Sequence, residues 1–110
     1  MTVSIEPRTT LSLAAAGGSA LFPIASYRLI GIKLSAGNVT AEGTLSFRLA
    51  NDSEDPTPNA MADPTVAVVA GVAVNEFVNL VDIAANYIQV YWTPTAAEAV
   101  DLEILIGGKR

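Results

Sequence analysis

The 110-residue sequence has no histidine and no cysteine. Their absence removes the usual zinc and haem ligands, thiol nucleophiles, the imidazole general base and a histidine-based pH switch. No disulfide can form, so cysteine usage does not indicate a redox compartment. Charge is sparse: six basic and eleven acidic residues make up 15% of the chain, against roughly 25% in an ordinary soluble domain. Basic residues are the scarcer sign. A net charge of -5 and a pI near 4.4 oppose a phosphate-binding surface, so nucleic acid is not expected as a partner. Long apolar runs are missing too. The longest unbroken apolar and glycine stretch is 66–74, far short of the roughly 20 residues a membrane-spanning helix requires. Arg8 precedes an apolar stretch over 11–22, but Glu6 and the Gly17-Gly18 pair do not fit a secretory signal. Neither a signal peptide nor a transmembrane segment is expected.

What is present is an excess of apolar residues. Counting glycine, 61 of 110 positions are apolar, about 55%, against the usual 45 to 50%. A domain of this length buries roughly 65% of its unfolded surface, so part of the excess must remain outside. A subunit interface would withdraw it from water, although 18 alanines raise the count without adding much area each. The length fits one domain over 1–110.

The periodicity is that of strands. Val3, Ile5, Leu11 and Leu13 are interrupted by Pro7, a pattern suited to an edge strand or to an extended N-terminal arm over 1–20 lying across a neighbour. Ile30, Ile32 and Leu34 alternate with Gly31 and Lys33, and Ala36-Gly37-Asn38 reads as a turn. Leu45, Phe47 and Leu49 alternate with Thr44, Ser46 and Arg48, which describes a sheet with one wet face. Residues 51–64 hold three of the six prolines and four acids, the composition of a long loop. The valine-rich stretch 66–74 reads as one bent strand or two short ones, with a bend at Gly71.

Residues 75–85 are ambiguous, because Phe77, Leu80, Val81 and Ala84 fall at helical spacing while Phe77 and Val78 could close a strand. At most a helical turn is expected near 82–85. Ile88, Val90 and Trp92 share one strand face, and Tyr87, Gln89 and Tyr91 the other. Val100, Leu102, Ile104 and Ile106 alternate with Asp101 and Glu103 before a polar tail over 107–110. Seven or eight short strands with turns between them and little or no helix describe an all-β, antiparallel β-sandwich.

The segments Tyr87-Ile-Gln-Val-Tyr-Trp-Thr-Pro and Val100-Asp-Leu-Glu-Ile-Leu-Ile resemble the last two strands of small jelly-roll modules. Such modules occur among phage head-decoration and fibre proteins and among carbohydrate-binding modules. The resemblance implies a jelly-roll-like sandwich without catalytic residues, whose partner is a capsid lattice or a glycan.

Each candidate site has a plain structural reading beside it. Asp52, Glu54, Asp55 and Asp63 could offer oxygen ligands to calcium, but the loop lacks the glycine and terminal glutamate of an EF-hand. Solvated loop charge accounts for them, and no metal or cofactor is expected. Asp101 and Glu103 could form an acid/base pair, yet their alternation with apolar residues marks the wet face of a strand. No serine has a histidine partner, so no catalytic residue is assigned. Tyr87, Gln89 and Tyr91 form an amphipathic stripe able to stack on sugar rings or anchor a subunit interface, unless a second sheet covers it. Trp92 belongs with Ile88 and Val90 in the core. Asn38-Val39-Thr40 and Asn51-Asp52-Ser53 match the glycosylation pattern, but six asparagines and 16 serines and threonines give about one match by chance.

These observations lead to a non-enzymatic structural subunit of a larger assembly. In its concrete form this is a virion decoration or minor capsid protein assembled in the host cytoplasm. A carbohydrate-binding module is the alternative. Its expected contacts are Val3, Ile5, Leu11 and Leu13 of the arm and Tyr87, Gln89 and Tyr91 of the stripe. Closed symmetry together with the resemblance implies a homotrimer.

Overall fold

A computed structural model describes residues 2–13, 16–19, 21–25, 27–51, 60–81, 85–95 and 100–109, with backbone alone for 2–11, 13, 38 and 109. Nine strands run through them: β1 Thr2–Leu13, β2 Gly17–Gly18, β3 Phe22–Pro23, β4 Leu29–Asn38, β5 Gly43–Ala50, β6 Val66–Val68, β7 Ala73–Val81, β8 Tyr87–Pro94 and β9 Val100–Lys109. The two-residue β2 and β3 lie along the same neighbour, β8. Together they amount to one interrupted strand, which makes eight.

The strands form two antiparallel sheets, ordered β1-β9-β4-β7 and β2-β8-β5-β6, with β3 also on β8. We call them the first and second sheet. With β2 and β3 taken as one, the chain's first strand pairs with its last, the second with the seventh, the third with the sixth and the fourth with the fifth. This is a long antiparallel ribbon rolled up on itself, the jelly-roll arrangement. The expected all-β sandwich is the observed fold.

The alternations read from the sequence fill the space between the sheets. Ile30, Ile32 and Leu34 of β4, and Val100, Leu102, Ile104 and Ile106 of β9, are buried against Leu45 and Phe47 of β5 and Ile88, Val90 and Trp92 of β8. Every described residue of this core is apolar, and no described polar or charged residue is buried.

Four local expectations change. Of the edge strand or arm expected over 1–20, residues 2–13 pair along β9 as an edge strand and Gly17–Gly18 along β8, while 1, 14, 15 and 20 lie outside the described residues. Pro7 is accommodated because β1 is an edge strand with register shifts between Ser4 and Glu6 and between Glu6 and Thr9. The turn expected at Ala36-Gly37-Asn38 is an irregularity inside β4, between Ala36 and Asn38, and residues 39–42 carry the chain from the first sheet to the second. The expected polar tail is strand through Lys109, since Gly107 and Gly108 pair with both β4 and β1. Residues 75–81, ambiguous in sequence, are strand. Positions 82–84 of the suggested helical turn lie outside the described residues.

The stretch 66–74 resolves into two strands in different sheets. Gly71, at φ +82°, takes the left-handed conformation that a tight crossing between them requires. Among the described residues no helix is long and apolar enough to cross a membrane.

Candidate functional site

Two surfaces carry chemistry, one on the outer face of each sheet. On the second sheet, β8 turns Tyr87, Gln89 and Tyr91 outward while Ile88, Val90 and Trp92 are buried, as the alternation predicts. All three outward residues are half-buried. The register sets Ser46 beside Tyr91, Arg48 beside Gln89 and Ala50 beside Tyr87. On the other side of β8, Gly18 stands beside Tyr91 and Pro23 beside Tyr87.

Arg48 reaches diagonally across this face. Its Cζ lies 3.4 Å from the centroid of the Tyr91 ring, within cation-π range. Gln89 extends over Gly18, where any Cβ would collide with its amide, and donates from Nε2 to the Ser19 carbonyl at 2.9 Å. Ser19 Oγ accepts from the Val90 amide at 3.0 Å, while the Ser19 amide donates to the Val90 carbonyl. The stripe is therefore tied into its own sheet. One face of Tyr91 is occupied by a guanidinium, and Gln89 spends its amide on the neighbouring strand.

On the first sheet the outer face is apolar at one end and acidic at the other. Val81 pairs with Leu29, Asn79 with Gly31 and Phe77 with Lys33 along β7 and β4. Gly31 in turn pairs with Gly107, and Lys33 with Leu105, along β4 and β9. Gly31 and Gly107 leave the β4 and β9 positions of this row without side chains, with Asn79 at its β7 end, and the row is flanked on one side by Phe77, Lys33 and Leu105 and on the other by Val81 and Leu29. The result is a groove of ≈ 670 Å³ with no acidic residue in its lining. Phe77 is 60% exposed, Val81 58%, Leu29 41% and Leu105 37%. The Phe77 ring leans over Gly31, whose Cβ would stand 2.7 Å from Phe77 Cζ, whereas a Cβ at Gly107 would meet nothing within 4 Å. Lys33 Nζ donates to Asn75 Oδ1, drawing its head away from the glycine row.

Asp101 and Glu103 lie at the far end of this face, where they alternate with buried Leu102 and Ile104. They border a shallow polar groove with Ser35 and Gly37. Among the described residues no group of three or more acidic side chains is placed to hold a metal ion. Asp52, Glu54 and Asp55 lie outside the described residues, and Asp63 is exposed. For Val3, Ile5, Leu11 and Leu13 only the backbone is described, on the edge strand β1.

The groove was not among the sites expected from the sequence. Its signal was present in β7, where Phe77, Val78, Leu80 and Val81 are apolar on both faces of one strand. That pattern obscured the strand itself by imitating a helix.

No protein-family model matches this chain, and no curated protein matches it in sequence. Solved structures do match in shape. The SPBc2 prophage-derived protein YomS is similar at a TM-score of 0.54 and 8% identity, over 91% of this chain and 93% of that one. A structure of Bacillus endospore appendages, described as disulfide-linked pili, is similar at 0.52 and 13%, over 99% of this chain and 90% of that one. The K3 cleaved adhesin domain of Lys-gingipain from Porphyromonas gingivalis is similar at 0.53 and 12%, over 93% of this chain and 62% of that one. At these identities the likeness is one of fold.

Proposed function

We propose that the chain is a non-enzymatic structural subunit of a larger assembly, in its concrete form a virion decoration protein that binds a capsid lattice and associates with further copies of itself. The observation carrying this reading is the exposed apolar outer face of the first sheet, built around Gly31 and Gly107 and bordered by Phe77, Val81, Leu29 and Leu105. A sparsely charged chain with such a face gains by covering it. The fold likeness to a prophage-derived protein and to endospore pili is compatible with a subunit role. Those pili are described as disulfide-linked. These 110 residues contain no cysteine, so no disulfide between them can link one copy to another.

A carbohydrate module would require an open aromatic platform, and Arg48 already covers one face of Tyr91. The two readings separate by stoichiometry. A decoration subunit saturates a capsid-sized particle at a fixed copy number and raises its thermal stability, which co-sedimentation and calorimetry measure. Binding to soluble oligosaccharides with no sedimentation on any particle would replace this reading with the glycan one.

A further inference from the structure

We draw no further inference here: the strongest candidate, the apolar groove on the outer face of the first sheet around Gly31, Gly107 and Phe77, carries nothing beyond the reading above because nothing in the structure shows what covers it.

Discussion

Trp92 is fully buried between the sheets beside Ile88 and Val90, and Gly43 makes room for it. A Cβ on Gly43 would stand 2.7 Å from Trp92 Cη2, 2.7 Å from Pro94 Cα, and in collision with the Thr93 carbonyl oxygen. Two of these obstacles are backbone atoms, which cannot rotate away, so Gly43→Ala should cost about 1–3 kcal/mol by overpacking. Urea unfolding measures it. Truncation of Trp92 to alanine should cost about 3–5 kcal/mol. The indole Nε1 is buried without a hydrogen-bond partner among the described residues, a burden of roughly 1–3 kcal/mol. Trp92→Phe removes that unsatisfied donor together with some packing, so its cost should be well under half that of Trp92→Ala. Equal losses in the two variants would show that the indole nitrogen has a partner. Iodide should quench native tryptophan fluorescence poorly, since no face of the ring meets solvent.

Among the strands, those that alternate cleanly were the ones legible in advance. β8 alternates through Thr93 and β5 through Arg48 because each has one covered and one more open face, the alternation of β5 lapsing at Leu49 and Ala50. β7 was not legible because its outward positions are apolar as well, and a strand apolar on both faces has no period to read. The ends of β4 and β9 were missed for a related reason: Gly107 and Gly108 carry turn chemistry, yet long-range pairing with β4 and β1 holds them extended, while Gly37 falls at the register shift of β4 against β7. Such pairing leaves no mark in a local window. β7 is an edge strand, and the inward alternation of its buried Val74, Val78 and Leu80 includes the exposed Glu76. An inward-pointing charge on an edge strand opposes pairing with another chain, so Glu76→Ile should produce aggregation detectable by turbidity at concentrations where the parent chain stays clear. A variant as clear as the parent would mean that something else guards this edge. The acidic loop is anchored at Ala60, which bridges to Arg48, and at Met61, whose amide donates to Phe47 at 2.8 Å and whose side chain packs on the core. Replacing residues 53–58 by a Gly-Ser linker should leave the unfolding midpoint unchanged. Extending the replacement through Met61 should lower it.

The molecule as a whole combines a net charge of -5 with one uncovered apolar face, and the two features act oppositely on association. The acidic charge repels a second copy at long range, while the face attracts at contact. At about 0.05 M salt the screening length exceeds 10 Å and repulsion between approaching subunits is felt across the gap; at about 0.5 M it falls to a few ångströms. Apolar burial is not screened by salt. If the self-association proposed above uses the Phe77 face, it should therefore tighten as sodium chloride rises over this range, mainly through faster encounter between like-charged chains. An interface built on ion pairs, for example Asp101 and Glu103 against the basic residues of a neighbour, would weaken over the same range. Sedimentation equilibrium at the two salt concentrations distinguishes these outcomes by the sign of the change alone. A dissociation constant that rises with salt would place the contact at the acidic end of the sheet, away from the glycine row.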